Sequence, residues 1–174
     1  MGMDVYGNKP KTDKGEYFRN NVWWWHPLWD YVYSVAADLI PESVYDHGHS
    51  NSGAGLGARD AKKLGKLLLD EIEFGRTAKY ENDYRQHLAN LPLEVCTWCN
   101  GVGIRTDRVG VEGGMPSKEL DEATAIALGR THGTCNGCNG EGKTQPWSAN
   151  YPFSVENVRQ FAEFCIESGG FKIW

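Results

Sequence analysis

Four of the five cysteines stand in two short motifs of the same form. Residues 96–103 read CTWCNGVG and residues 135–142 read CNGCNGEG, so both follow the pattern C-x-x-C-x-G-x-G. Two residues between cysteines let both thiolates reach one ion, and the glycines that follow permit a tight chain reversal. Two such motifs, called knuckles below, offer four sulfur ligands to a metal ion. They predict a closed tetrahedral Zn²⁺ site formed by Cys96, Cys99, Cys135 and Cys138.

A shell of four thiolates leaves no position for water or substrate, so the predicted ion has a structural role and not a catalytic one. Two other uses of the cysteines stay open. One is a redox dithiol, although such a site normally needs only one C-x-x-C pair. The other is an iron–sulfur cluster, which the ligand type alone does not exclude. His132 lies three residues before Cys135 and is interpreted as a neighbour of the site and not as a ligand.

The knuckle pattern resembles the cysteine-rich region of DnaJ-type co-chaperones and the zinc knuckles of anti-TRAP. The resemblance is confined to the two knuckles. It implies that the four cysteines bind zinc and that four glycines shape the loops: Gly101, Gly103, Gly140 and Gly142. A DnaJ-type region has four such motifs where this chain has two, and the His-Pro-Asp tripeptide of the J-domain is absent. The resemblance therefore implies the knuckle without co-chaperone activity.

The densest aromatic stretch is NNVWWWHPLW, residues 20–29. Side chains of an extended segment alternate in direction, so at least one of Trp23, Trp24 and Trp25 is expected to be partly exposed. With Arg19 nearby, the stretch could contact a partner or stack on a nucleic-acid base. Core packing at a join between strand and helix is the favoured interpretation, because stacking platforms usually carry interleaved lysine and arginine.

A second candidate site is the segment YDHGHSNSG, residues 45–53. Asp46, His47 and His49 could bind a metal or transfer protons, because histidine titrates near neutral pH. The favoured interpretation is a polar loop whose side chains form turn hydrogen bonds. The glycines that follow do not form a phosphate-binding loop, since no Gly-Lys-Ser/Thr sequence completes the motif.

Composition limits the class of protein. The 174 residues are 40% hydrophobic and carry a net charge of −5, so the chain can bury a core but is not basic overall. A local nucleic-acid patch would need the basic residues around the knuckles, which are Arg105, Arg108, Arg130 and Lys143.

The N-terminal segment shows no secretory signal, and no apolar run reaches membrane-spanning length. Free thiolates indicate a reducing compartment, so we expect a cytoplasmic protein without a membrane partner.

Hydrophobic spacing identifies the elements that must position these residues. It predicts helices over about 26–40, 58–75, 77–91 and 154–170, a loop over 45–57, and short strands at 3–7 and 171–174 that could pair. Within the cysteine region, 103–112 could form a hairpin arm and 117–129 a short helix.

The elements together predict an α+β, predominantly helical fold. We expect four to five helices, a small terminal strand pair and a zinc-stapled lobe. Residues 1–93 and 146–174 would form one helical core, and residues 94–145 would form a zinc-knuckle lobe inserted between helices.

Along nearly its full length the chain resembles a family of small proteins encoded by phages and bacteria. The residues that carry the resemblance are MGMDVYG, YFRNNVWWWHPLWDYV, the glycine-rich loop, the two knuckles and YPFSVENV. The resemblance implies a phage-related protein in the cytoplasm of a bacterium or an infected host cell. It implies no particular activity.

Three functional hypotheses follow. The first is a zinc-stabilised, non-enzymatic binding protein that contacts a protein partner, such as a host bacterial enzyme or defence complex that it modulates or inhibits. The second is a nucleic-acid-binding zinc protein. The third is a small-ligand binder or enzyme that uses the His47/His49 loop. The first is favoured, because no G-x-S-x-G, H-E-x-x-H or dinucleotide-binding motif is present.

Overall fold

The computed structural model describes residues 2–105, 115–116 and 133–174. It divides into two compact units, of which the first comprises Met1–Ala89 and Asn150–Trp174. The second, Asn90–Ala149, contains both knuckles and is called the cysteine unit below. The boundaries expected from the sequence, 94 and 145, lie within this second range. The helix expected at 117–129 lies outside the described residues.

The fold class expected from the sequence, α+β and predominantly helical, is confirmed. The five α-helices of the described residues are α1 (Val22–Ala36), α2 (Glu42–Gly48), α3 (Ala58–Glu73), α4 (Arg76–Ala89) and α5 (Val155–Glu167). The strands are β1 (Gly2–Gly7), β2 (Tyr17–Asn21), β3 (Gly55–Gly57), β4 (Glu94–Val95), β5 (Ile104–Arg105), β6 (Met115–Pro116), β7 (Gly133–Thr134), β8 (Lys143–Thr144) and β9 (Gly170–Ile173). No helix of the described ranges is both long enough and apolar enough to cross a membrane.

The first unit has a four-stranded antiparallel sheet in the order β2-β1-β9-β3. The pairing of β1 with the C-terminal strand confirms the expected terminal strand pair, with Val5 opposite Ile173. Both of these side chains are fully buried. One face of the sheet therefore contributes to the hydrophobic core.

Helix α1 begins four residues earlier than the sequence analysis expected. The side chain of Asn21 caps it by accepting a hydrogen bond from the backbone N–H of Trp24. Pro27, the second residue of the helix expected from the sequence, lies inside α1. Proline has no backbone N–H, so one hydrogen bond of the helical ladder is missing at that point.

The loop expected over residues 45–57 is wrong in part, because α2 extends to Gly48 and β3 begins at Gly55. Side chains of α1 hold the end of α2. The indole N–H of Trp25 donates to the Gly48 carbonyl over 2.8 Å, and that of Trp29 donates to the Tyr45 carbonyl over 3.0 Å. A Cβ atom at Gly48 would lie 2.4 Å from the Trp29 ring nitrogen, so this close approach requires glycine.

The core of the first unit is rich in aromatic side chains from α1, α5 and β9. Trp25 and Trp29 stack with their ring centres 5.5 Å apart, and Phe161 packs edge-on against both rings. Ser154, at which the sequence placed the start of this helix, caps α5 by accepting a hydrogen bond from the backbone N–H of Asn157. These contacts give the first unit a hydrophobic core of its own.

Candidate metal centre

The two knuckles have the same backbone geometry, which glycine and asparagine make possible. Asn100 and Asn139 have φ values of 52° and 51°, in the left-handed region that asparagine tolerates. The four glycines named in the sequence analysis also have positive φ, between 73° and 85°. Each knuckle therefore reverses the chain tightly after its second cysteine.

Backbone hydrogen bonds join the knuckles to each other in matching positions. The Cys96 N–H donates to the Gly142 carbonyl over 2.9 Å, and the Cys135 N–H donates to the Gly103 carbonyl over 2.8 Å. A Cβ atom at Gly103 would lie 2.3 Å from the Gly140 oxygen. This distance is too short for any residue with a side chain at position 103. The knuckles consequently face each other as a pair with approximate two-fold symmetry.

This pairing brings the four cysteine sulfurs together. All four thiols are buried, and their Sγ atoms lie within 4.8 Å of one another. The Sγ atoms of Cys96 and Cys135 are 3.8 Å apart, and those of Cys99 and Cys138 are 3.7 Å apart. These separations are far longer than the disulfide bond of about 2.05 Å, so the thiols are free.

The sulfur positions fit a tetrahedral metal ion. Metal–sulfur bonds of about 2.3 Å at tetrahedral angles place the sulfurs of one ion about 3.8 Å apart. The four cysteines could therefore hold a metal ion, as the sequence predicted for this set of residues. Within the described ranges, no other group of three or more His, Cys, Asp or Glu residues has ligand atoms close enough to do so.

Backbone N–H groups donate hydrogen bonds to the sulfurs and favour their thiolate form, which is the form that binds a metal. The N–H groups of Gly103 and Gly142 each donate to the second cysteine of their knuckle, over 3.2 Å. Burial acts to raise the pKa of the Cys99 thiol, but hydrogen bonds from Gly103 and the neighbouring thiols outweigh it and bring the pKa to about 7. Burial raises the pKa of the Cys135 thiol to about 11. Since a metal binds thiolates, its binding must displace protons from this cluster.

Trp98, between the first two cysteines, was not singled out from the sequence. Its side chain is 59% exposed, and the Arg105 guanidinium lies 4.7 Å from the centre of its ring. Arg105 also donates to the Asn136 side chain over 3.1 Å and is only 7% exposed. The possible role of Arg105 in a nucleic-acid patch or as a partner contact is therefore corrected, because this side chain is buried within the cysteine unit. Arg108, Arg130 and His132 lie outside the described residues.

The structure separates the predicted contact residues of the tryptophan run. Trp25 is fully buried, which corrects its possible role as a partner contact and agrees with the core packing that the sequence favoured. Successive helical side chains are rotated by about 100°, which turns Trp25 inward while Trp23 and Trp24 remain half-buried. Arg19 lies on β2, where its guanidinium is 3.5 Å from the Asp4 carboxylate.

The two histidines of the predicted loop make different contacts. The exposed His47 hydrogen-bonds through Nδ1 to the Ser43 carbonyl of its own helix, over 2.7 Å. His49 instead contacts His26 of α1, with 2.8 Å between their Nδ1 atoms. Its Nε2 lies 3.3 Å from the Asp30 carboxylate. Sequence reasoning missed His26 and Asp30, and their spacing of four residues on one helix was the available signal.

Comparisons with protein-family models, with curated proteins and with solved structures find no match to this chain.

Proposed function

We propose that this chain is a zinc-stabilised, non-enzymatic binding protein that contacts a protein partner. The observation that carries the proposal is the set of four buried sulfurs at the separations of a tetrahedral site. Four thiolates complete the coordination of Zn²⁺ and leave no position for a substrate. The ion would supply folding energy to the cysteine unit in place of catalysis.

The surface of the cysteine unit supports a protein as the partner. Trp98 and Val102 belong to the first knuckle and are 59% and 71% exposed. Tryptophan is enriched among the residues that dominate binding at protein interfaces, so Trp98 is the candidate anchor. The described part of this unit carries two acidic and two basic residues, which are Glu94, Glu141, Arg105 and Lys143. This balance gives little attraction for phosphates.

The resemblance to phage- and bacterium-encoded proteins extends the proposal. On that basis the partner is a host bacterial enzyme or defence complex, and the two proteins meet in the bacterial cytoplasm. The reduced thiolates that the zinc site requires are compatible with that compartment.

Photo-crosslinking tests the proposed contact surface. A photoreactive amino acid replaces Trp98 in one variant and Phe74 in a matched control, because Phe74 is 69% exposed but belongs to the first unit. In bacterial lysate, the variant at position 98 is expected to form a discrete crosslinked product with one protein, and the control is not. Added Cys138→Ser should abolish that product. A product that forms equally at both positions, or no product at position 98, would contradict the proposal.

A further inference from the structure

Six partly exposed aromatic rings form a continuous row in the first unit. Successive ring centres are 5.0 Å apart for Trp23 and Tyr151, 6.0 Å for Tyr151 and His26, and 5.0 Å for His26 and His49. Tyr45 follows at 4.8 Å from His49, and Tyr33 at 4.0 Å from Tyr45. This set of residues is called the aromatic row below. All six side chains are half-buried, so each keeps some surface in contact with solvent.

Hydrogen bonds around Asp30 fix the middle of the aromatic row. The Tyr45 hydroxyl donates to Asp30 Oδ1 over 2.8 Å, and His49 Nε2 lies 3.3 Å from the same oxygen. The contact between His49 and His26 extends this series of polar contacts by one residue. The rings are thus held in place before any partner arrives, which lowers the entropy cost of binding.

Asp30 has unused capacity to accept hydrogen bonds. Both of its polar contacts in the described residues use Oδ1, whereas Oδ2 has no partner among them. The side chain is 51% exposed. No lysine or arginine of the described ranges forms an ion pair with it, and the aromatic row itself contains neither residue type. An exposed carboxylate beside ring faces is the combination that attracts a cationic side chain.

We propose that the aromatic row and Asp30 form a binding surface for an arginine side chain of a protein partner. A guanidinium group is planar, so it can stack on a tyrosine face and donate to Asp30 Oδ2 at the same time. A lysine ammonium offers the donation without the stacking. The net charge of −5 on the chain also favours a basic partner segment. The surface lies wholly in the first unit, and the inference does not rest on the metal centre.

Nuclear magnetic resonance of the zinc-loaded full chain tests this surface. The probe is a blocked Gly-Arg-Gly-Arg-Gly peptide, and its control contains citrulline, which keeps the planar group but lacks the charge. The ring signals of Tyr33, Tyr45 and His49 are expected to shift with the arginine peptide and not with the citrulline peptide. Asp30→Asn should weaken binding about fivefold, and Tyr33→Ala should weaken it by a similar factor.

The matched control is Asp46→Asn, which removes an exposed carboxylate beside Tyr45 without changing the polar contacts of Asp30. This variant should bind the arginine peptide as the wild type does. Equal weakening by Asp30→Asn and Asp46→Asn would overturn the proposal, because it would indicate a general attraction to acidic groups. Absent ring shifts, equal shifts with citrulline, or unchanged binding by Tyr33→Ala would also overturn it. Cys138→Ser should leave the shifts intact, so this test can fail independently of the proposed metal-dependent function.

Discussion

The Nδ1 atoms of His26 and His49 have room for one proton between them. One nitrogen donates and the other accepts, so protonating both would place two N–H groups head to head across 2.8 Å. Burial lowers the pKa of His26, and the neighbouring His49 lowers it further, while Asp30 acts in the opposite direction. His26 is therefore protonated at a lower pH in the folded chain than in the unfolded chain, where its pKa is about 6.5.

The first prediction concerns the pH dependence of stability. Below about pH 6.5 the unfolded state binds more protons at His26 than the folded state does, so the free energy of unfolding should fall as the pH decreases. At higher pH both states are neutral at His26, and its contribution to the pH dependence vanishes. Replacing His26 by Asn keeps a polar group near Nδ1 but removes the titration.

Urea unfolding near pH 7.5 and near pH 5.5, followed by tryptophan fluorescence, measures this effect. The loss of stability between the two pH values should be larger in the wild type than in His26→Asn. Acid-induced release of metal affects both proteins and cancels in the comparison. Equal losses would show that His26 does not titrate differently in the two states.

At the scale of elements, the knuckles depend on backbone positions that only glycine can fill. Gly103→Ala adds a Cβ atom that would meet the Gly140 carbonyl at 2.3 Å, in a residue whose φ is 79°. We expect the zinc affinity to fall at least tenfold, which corresponds to about 1.4 kcal/mol. Competition with a chromophoric chelator measures it.

Gly75→Ala is the matched control for that substitution. Gly75 also has a positive φ, of 73°, but no atom lies within 4 Å of the position of its Cβ. It follows α3 in the first unit, so the variant should lose about 1 kcal/mol of stability and no zinc affinity. A Gly103→Ala protein that binds zinc as tightly as Gly75→Ala would show that the close approach of the knuckles is not required.

The sequence predicted those elements whose signals are local. Periodic apolar residues identified α3, α4 and α5, and the spacing of the cysteines and glycines identified the sulfur cluster. The start of α1 was missed because proline is common in the first turn of a helix, so Pro27 suggested a start near residue 26. The Asn21 side chain in fact caps the helix and fixes its start at Val22. Helix α2 was not predicted, because the indole groups of Trp25 and Trp29 hold its end and such contacts leave no local pattern.

Contacts between distant segments also made some site residues impossible to predict from the sequence. His49 was considered together with His47, because only one residue separates the two along the chain. The structure instead brings His49 to His26, which lies 23 residues earlier, through the packing of α2 on α1. The exposure of Trp98 also depends on where Arg105 and Gly137 lie around its ring. Contacts between distant segments decide these outcomes. The four-residue spacing of His26 and Asp30 places them on one helix face but does not indicate that His49 reaches them.

At the scale of the whole molecule, the two units differ in what stabilises them. The first unit has a large hydrophobic core that includes Trp25, Phe161 and Phe171. In the described part of the cysteine unit, the buried hydrophobic cluster consists of the four cysteines. On the proposed function, the cysteine unit depends on its metal ion for stability, whereas the core of the first unit forms without one.

Removing the metal should therefore unfold one unit and spare the other. Cys138→Ser removes one sulfur ligand, and we expect backbone amides of the knuckles to exchange hydrogen rapidly while those of α1, α3 and α5 stay protected. Hydrogen–deuterium exchange measured by mass spectrometry separates the two responses. Global loss of protection would contradict this division of stability, and so would protected knuckles.

Metal content shows directly whether the four cysteines hold one structural zinc ion. Elemental analysis by inductively coupled plasma mass spectrometry should find one zinc per chain in protein purified without added metal. It should find none in Cys138→Ser, and an undiminished content in Cys165→Ser, because Cys165 is buried on α5 outside the cluster. Iron with sulfide in place of zinc, or a folded wild-type protein without metal, would contradict the claim.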